Sequence, residues 1–343
     1  MLNMIANFPL CLAPMVGLTH VAMRETLRFY LPQEAKTIWP TEMLSSYKLP
    51  NQKLGTAAMI KFAEDEENLI PQILGNEQKP IERTVSLLKS WGAVGIDINM
   101  GCPVKKALKH NYGVSLMGDP DYAAEVVRFA VEASDLPVSV KFRAGLQKDL
   151  KVLEKFALGI QEAGASWVTL HPRTSAQKRR GRADWSQIRF LKELLEIPVL
   201  GNGDVQNLND FYALKEQTGC DMVMVGRALC VRPWMFWQLA EDLNMASPEQ
   251  LEGRKAPRTA YEEGEEFGRH LKRLVKSLWF YFDEEQALKQ FRFYVRVAHP
   301  WLMYGHDLAR KTTVCFSEQD CLALIEDFFS RPQSMSQTTM GGY

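Results

Sequence analysis

Short apolar runs alternate with amphipathic helical patterns from residue 9 to about residue 240. Eight runs have β character and predict strands at 10–13, 37–42, 70–74, 94–99, 138–142, 167–171, 198–201 and 222–225. Between most of them, apolar residues recur at helical spacing and predict helices at 80–91, 121–133, 150–163, 185–195 and 207–217. Continuously apolar strands are typical of parallel sheets buried on both faces. The pattern therefore favours an α/β fold, a (β/α)8 TIM barrel, over an open doubly wound sheet.

The pattern changes after residue 240. Residues 244–257 are polar, with two prolines and a glycine, and predict a linker. Residues 258–330 show only helical spacing and predict a small C-terminal all-helical bundle domain. Residues 331–343 are rich in Ser, Thr, Gly and Gln, so a frayed tail is expected there. The barrel domain would then cover residues 1–243.

Composition narrows the class of protein only slightly. A chain of 343 residues, 46% of them apolar, is long enough for a barrel and a small second domain. The 41 basic and 41 acidic residues balance, so net charge selects no partner. Within residues 141–192, however, twelve Lys and Arg face four Asp and Glu, a local excess of eight positive charges. This excess favours a polyanionic partner, with a solvated surface as the alternative.

Six cysteines occur without a CxxC pair and without the Cys/His spacing of a zinc site. Free thiols in a reducing, cytoplasmic setting are therefore expected, with no metal. The first residues lack the basic region and cleavage site of a signal peptide, and no apolar run is long enough to span a membrane. We expect no membrane association.

The most informative stretch is Asn-Met-Gly-Cys-Pro-Val at residues 99–104. It follows an apolar run and turns sharply, so it would deliver the Cys102 thiol to the rim of the barrel, as a nucleophile or a proton donor. Active sites of such barrels lie at the C-terminal ends of the strands. The other candidates at the ends of strands one to six are Pro14, Met15, Val16, Gln72, Asn99, Lys141, Arg143, His171 and Arg173.

Two glycine-containing turns end the seventh and eighth strands. The first contains Asn202, Gly203 and Asp204, and the second contains Gly226 and Arg227. Glycine lets backbone N–H groups approach an anion closely, and these two loops are the usual phosphate site of such barrels. We expect these five residues to bind the phosphate of a cofactor. The alternative is that both are ordinary tight turns.

The cofactor expected at these strand ends is flavin mononucleotide (FMN). The chain contains neither a GxGxxG fingerprint nor a P-loop. Gln72 and Lys141 suit a flat ring with polar edges: Gln72 would meet the pyrimidine edge, and Lys141 would stabilise the reduced anion near N1 and O2. For Lys141 alone, a buried salt bridge is the alternative.

Over residues 8–240 the chain resembles the tRNA-dihydrouridine synthases. Asn99–Val104 carries most of the resemblance, and the supporting motifs, in the right order, are Ala-Pro-Met at 13–15, Ser-Val-Lys-Phe-Arg at 139–143, Leu-His-Pro-Arg-Thr at 170–174, Gly-Asn-Gly-Asp at 201–204 and Gly-Arg at 226–227. The residue after Met15 is a departure, because many relatives have an acidic or small polar residue where this chain has Val16.

The resemblance implies an oxidoreductase that works in two stages. NADPH would reduce bound FMN, and a uridine flipped out of tRNA would then accept hydride at C6 while Cys102 protonates C5 from the opposite face. By the same likeness, the residues surrounding flavin or uracil would be Asn99, Lys141, Arg143, His171 and Arg173.

The resemblance also implies tRNA binding beside the site. The loop after the sixth strand carries Lys178, Arg179, Arg180 and Arg182, which would contact phosphates. In the helical domain, Arg292 and Arg296 flank aromatic residues as in RNA-binding surfaces. The alternative for these two is the solvated face of an amphipathic helix.

Two other functions stay open from the residues alone. One is a small-molecule FMN enzyme, a dihydropyrimidine or dihydroorotate type of dehydrogenase, which leaves the basic loop and the helical domain unexplained. The other is a non-catalytic RNA-binding protein on a flavin barrel, which leaves Cys102 and Lys141 unexplained. No protein partner is implied, and a large RNA partner favours a monomer.

Overall fold

The computed structural model describes residues 2–53, 55, 60–63, 66–104, 109–178 and 180–338. The strands are β1 Leu10–Leu12, β2 Trp39–Pro40, β3 Leu44–Ser45, β4 Leu69–Ile70, β5 Gln72–Leu74, β6 Ile96–Met100, β7 Val138–Arg143, β8 Trp167–His171, β9 Val199–Asn202 and β10 Met222–Val225. The helices are α1 Leu2–Ile5, α2 Val21–Arg28, α3 Gln78–Ser90, α4 Pro120–Glu132, α5 Leu150–Glu162, α6 Ser186–Leu194, α7 Leu208–Thr218, α8 Arg227–Val231, α9 Met235–Asp242, α10 Ala260–Tyr281, α11 Glu284–Ala298, α12 Gly305–Lys311 and α13 Glu318–Phe329.

The sheet is parallel and curls into a barrel. Eight strands pair in the order β1-β10-β9-β8-β7-β6-β5-β3, and a second ladder joins β2 to β4. The seam beside β1 is closed by hydrogen bonds from Phe8 N to Lys36 O (3.0 Å) and from the Thr37 hydroxyl to Leu10 O (2.7 Å). The predicted TIM-barrel class, followed by C-terminal helices, is confirmed.

Two predicted strands are each split in two. The strand expected at 37–42 forms only β2 and, further on, β3. The strand expected at 70–74 is interrupted at Pro71, which has no N–H to donate to the ladder. The Thr41 hydroxyl accepts from Gln72 N at 3.2 Å and bridges this interruption. Gln72, just after the interruption, lines the cavity at the barrel mouth.

The helices begin where their sequences provide caps. Asp119 and Asp149 accept hydrogen bonds from the first turns of α4 and α5. Thr259 forms a capping box with Glu262 at the start of α10, the longest of the described helices. None of the helices in the described part of the chain combines the length and apolar character needed to cross a bilayer.

The helical region and the barrel share one hydrophobic core. Leu271, Leu274 and Phe291 belong to the same buried cluster as the outward-facing residues of the barrel strands. The Tyr30 hydroxyl, just after α2, donates to Glu266 of α10 at 2.8 Å. A smaller cluster, which includes Trp167, fills the inside of the barrel. The helices are therefore held firmly against the barrel.

The described residues of the predicted linker and tail pack against the rest of the protein. In the linker, Ala256 N donates to Glu241 at 2.7 Å, and Leu251 is buried. The expectation of a frayed tail is wrong for residues 331–338, because Met335 is buried and its N–H donates to Ala260 O at 2.9 Å. Residues 339–343 of the predicted tail lie outside the described residues.

Candidate active site

A cavity of about 180 Å³ opens at the carboxyl ends of the strands. Eight of the residues predicted from the sequence line it: Pro14, Val16, Gln72, Asn99, Cys102, Lys141, Arg143 and His171. Met43, Gly101 and Pro103 complete the lining. The fold thus brings together side chains from six segments, at the position where barrel enzymes carry their active sites.

Cys102 is held by its backbone. Asn99 Oδ1 accepts hydrogen bonds from Gly101 N at 3.1 Å and from Cys102 N at 2.9 Å. From β7, Arg143 Nε donates to Gly101 O at 3.0 Å. Cys102 is partly exposed, whereas the other five cysteines are buried. The structure therefore presents one accessible thiol, on a turn fixed from both sides.

Sequence reasoning missed Asp97, which lies two residues before Asn99 on β6. Its carboxylate accepts from Gln72 Nε2 and from the Ser139 hydroxyl, both at 2.6 Å. Burial raises the pKa of Asp97, while the hydrogen bonds from Ser139 and Gln72 and the charge of Lys141 act in the opposite direction. The signal that could have found it is alternation, because residues i and i+2 of a strand share a face.

Lys141 pairs with Asn99 in the register of β7 and β6 and lines the cavity. Burial, followed by the charge of Arg143, lowers the pKa of Lys141, and Asp97 opposes this effect. Among the described residues, the Lys141 ammonium has neither a hydrogen-bond partner nor a carboxylate within ion-pair distance. A cationic donor that makes no hydrogen bond with a described residue suits a ring that becomes anionic on reduction, so this donor set fits a flavin.

His171 ends β8 on the same face. Burial lowers the pKa of His171 well below the usual value, and Lys141, Arg143, Arg173 and Arg227 add to the shift. The ring is therefore neutral near pH 7. Its Nε2 lies 3.2 Å from Nη1 of Arg173, which can only donate, so Nε2 accepts and the proton resides on Nδ1.

Arg173 is almost completely buried and faces protein groups. Its Nη2 lies 2.6 Å from Asp204 Oδ1 and donates to Gly181 O at 2.5 Å. Asp204 Oδ2 in turn accepts from Ala183 N at 2.5 Å. Arg173 and Asp204, predicted to contact substrate and cofactor, thus join the loop after β8 to the loop after β9.

The two predicted phosphate loops lie beside the cavity. Gly203 has φ +125°, and a Cβ there would lie 3.0 Å from His171 Cδ2. Asn202 Nδ2 donates to Met224 O at 2.7 Å, which ties the loop to β10. A Cβ on Gly226 would lie 3.2 Å from Met15 Sδ, just before α8 begins at Arg227. The two glycines therefore let the turns after β9 and β10 pack closely against His171 and Met15.

The basic loop after β8 projects from this rim. Lys178, Arg180 and Arg182 are exposed, and Arg179 lies outside the described residues. Arg143 Nη1 donates to Lys178 O at 2.8 Å, so the same side chain contacts both this loop and the Cys102 turn.

The two arginines predicted on the helical region have different environments. Arg292 is partly buried and donates to the carbonyls of Thr312, at 3.2 Å, and Cys315, at 2.7 Å. Arg296 is exposed. Between them, Phe293 packs on Gly17, where a Cβ would lie 2.8 Å from the ring. The structure thus places α11 against the loop after β1, but it does not bring either arginine to the cavity lining.

Comparison with known proteins assigns the chain to a family. Residues 11–318 match the family described as "Dihydrouridine synthase (Dus)". A probable tRNA-dihydrouridine synthase of Mycobacterium tuberculosis is 33% identical over 329 residues, covering 92% of this chain and 81% of that protein. One of Rhizobium leguminosarum bv. phaseoli is 35% identical over 230 residues, covering 67% and 71%. The chain belongs to the dihydrouridine synthase family, whose members are flavin-dependent oxidoreductases.

A solved structure supports the fold alone. Histamine dehydrogenase from Rhizobium sp. 4-9 superposes with a TM-score of 0.51 at 11% identity, covering 69% of this chain and 46% of that one.

Proposed function

We propose that this protein is an FMN-dependent tRNA-dihydrouridine synthase that takes its electrons from NADPH. Family membership and the tRNA-dihydrouridine synthases among its relatives support dihydrouridine formation in tRNA. The observation that carries the proposal is the single accessible thiol, Cys102, in a cavity that also contains the Lys141 ammonium, which makes no hydrogen bond or close ion pair with a described residue. Cytoplasmic tRNA would be its substrate.

When bound and reduced, FMN would supply hydride chemistry at C6 of the uracil. The Cys102 thiol gives its proton to C5 on the opposite face, and a C5–H bond replaces the S–H bond. Gln72 and Lys141 would contact the polar edge of the flavin ring, and Lys141 would offset the negative charge of its reduced form. Pro14, Met15 and Val16 would border the ring.

The remaining residues would bind the FMN phosphate, the uracil base and the phosphates of the tRNA. Asn202, Gly203, Asp204, Gly226 and Arg227 would form the FMN phosphate site through their loops. Asn99, Arg143 and His171 would surround the flavin and uracil, with neutral His171 able to donate from Nδ1. Arg173 would act on them through its contact with His171 Nε2. Phosphates of the tRNA would meet the side chains of Lys178, Arg179, Arg180, Arg182, Arg292 and Arg296.

The test is an anaerobic half-reaction. The purified protein should show a flavin absorption spectrum with FMN as the released cofactor, and NADPH should bleach it. Adding tRNA that lacks dihydrouridine should restore the oxidised spectrum and yield dihydrouridine. Reoxidation by free uracil or orotate, and not by tRNA, would overturn the proposal in favour of a small-molecule dehydrogenase.

The other alternative, a non-catalytic RNA-binding protein, predicts a different result. Such a protein would bind tRNA without reoxidising the flavin. Neither alternative is favoured by the relatives that the chain matches. We further propose that the protein acts as a monomer, since the tRNA itself would cover much of the barrel mouth.

A further inference from the structure

Asp97 begins a row of hydrogen bonds that ends at the Cys102 turn. Gln72 Nε2 donates to Asp97 at 2.6 Å, and Asn99 Nδ2 donates to Gln72 Oε1 at 2.8 Å. Asn99 Oδ1 accepts from Cys102 N at 2.9 Å. We propose that Asp97 is a positioning residue. Through the side-chain amides of Gln72 and Asn99, it holds the backbone of the Cys102 turn in the conformation that the thiol needs for proton donation.

The direction of this row is set at both ends. An ionised carboxylate only accepts, so Gln72 must turn its Nε2 toward Asp97 and leave Oε1 for Asn99. Asn99 must then donate from Nδ2, which leaves Oδ1 for the turn. The backbone N–H of Cys102 only donates, and it requires that same Oδ1. One arrangement satisfies every group, so neither amide is free to rotate by half a turn.

Position 97 lies on the inner face of a barrel strand, where an apolar side chain would ordinarily be the more stable choice. Asp97 and Gln72 are both buried, with exposures of 6% and 1%. A buried carboxylate costs free energy unless its oxygens receive hydrogen bonds, as they do here from Gln72 and from the Ser139 hydroxyl. An apolar residue at position 97 would leave Gln72 Nε2 without that acceptor, and the orientation of both amides would be lost.

The inference rests on the proposed function only where it names Cys102 as the proton donor, and its main test needs no tRNA. In the flavin-loaded protein, we would measure amide hydrogen exchange at Gly101 and Cys102. Asp97→Leu removes the acceptor and should speed exchange fivefold or more. Asp97→Asn keeps one acceptor oxygen and should stay within twofold of the wild type.

Ser139→Ala is the matched control. It removes the other hydrogen bond to the Asp97 carboxylate, and this bond is not part of the row that leads to Cys102. It should also stay within twofold. Should Asp97→Leu fail to fold, Gln72→Met removes the middle of the row and should give the same fivefold increase. Wild-type exchange in Asp97→Leu, or in Gln72→Met, would overturn the inference, as would equal acceleration in Asp97→Asn and Asp97→Leu.

A kinetic measurement separates this inference from the proposed function. Reoxidation of the reduced flavin by tRNA should slow at least tenfold in Asp97→Leu and recover in Asp97→Asn. If tRNA fails to reoxidise even the wild type, the proposed function is wrong, while the exchange rates still decide whether Asp97 positions the turn.

Discussion

Arg173 and Asp204 form an ion pair of 2.6 Å in which the two side chains are only 6% and 11% exposed. The pair joins the end of β8 to the glycine-containing turn after β9 and holds the end of the basic loop through Ala183. It therefore couples the shape of the expected phosphate site to the segment expected to meet tRNA.

Removing one charge of this ion pair should lower the stability of the fold. Asp204→Asn keeps an acceptor for Ala183 N and tolerates the residue's φ of +61°, but it leaves the Arg173 guanidinium without its counter-charge. We expect the free energy of unfolding in urea to fall by about 3 kcal/mol. Asp135→Asn breaks the exposed pair with Lys89 and should cause no measurable change. Equal effects in the two variants would contradict the role of burial.

The Cys102 thiol should be needed only for the second half-reaction. Cys102→Ala should slow reoxidation by tRNA by about 10²-fold or more, because proton donation is lost. Flavin content, bleaching by NADPH and tRNA binding should be unchanged. Cys220→Ala, which alters a buried thiol, is the control. A Cys102→Ala protein that forms dihydrouridine at the wild-type rate would exclude Cys102 as the donor.

Gly203 should be required for flavin retention. A Cβ at this position would lie 3.0 Å from both His171 Cδ2 and Ala183 Cβ. We expect Gly203→Ala to weaken FMN binding at least tenfold, as measured by fluorescence titration of the apoprotein. Gly253 also has a positive φ, but a Cβ there would meet no described atom within 4 Å, so Gly253→Ala controls for backbone strain alone. Matching losses in both would exclude close approach as the cause.

The basic loop should contribute affinity that depends on salt. Each phosphate contact releases counterions, so log K falls with log salt by about 0.7 to 0.9 per contact. The variant Arg180→Ala/Arg182→Ala should bind tRNA more weakly and with a slope smaller by about 1 to 2. Arg128→Ala, an exposed cation on the outer helix α4, should change neither. An unchanged slope in the double variant would remove the loop from the tRNA interface.

Acid should destabilise the protein through buried histidines. Burial lowers the pKa of His270 to about 3, with Arg273 adding to the shift. Between that value and the unfolded pKa near 6.5, only the unfolded state binds the proton, so stability is lost as pH falls below 6.5. From pH 8 to pH 5, His270 should account for about 2 kcal/mol of this loss.

His270→Gln tests that value, because its amide can still donate to the Tyr294 hydroxyl, which lies 3.1 Å from His270 Nε2. Urea unfolding at pH 8 and at pH 5 should differ by about 2 kcal/mol less in the variant than in the wild type. The same difference in both proteins would show that His270 titrates normally in the folded state.

Local patterns along the chain were enough to predict the barrel, its C-terminal helices and the strand-end position of Cys102. Strand 222–225 was predicted with its observed bounds, because a continuous apolar run and its flanking turns are local properties. The Gly-Cys-Pro turn likewise predicts a thiol at the end of a strand, and this prediction depends on no distant residue.

The partners of the buried polar groups could not be predicted in this way, because they depend on how distant segments pack together. Asp97 reaches Gln72 and Ser139 because the registers of β5, β6 and β7 place them side by side. Arg292 donates to the carbonyl of Cys315, and Gln206 accepts from Thr338 N at 2.8 Å. Periodicity fixes which face a residue occupies, but the partner of a polar group is set by strand register and by contacts between segments far apart in the chain.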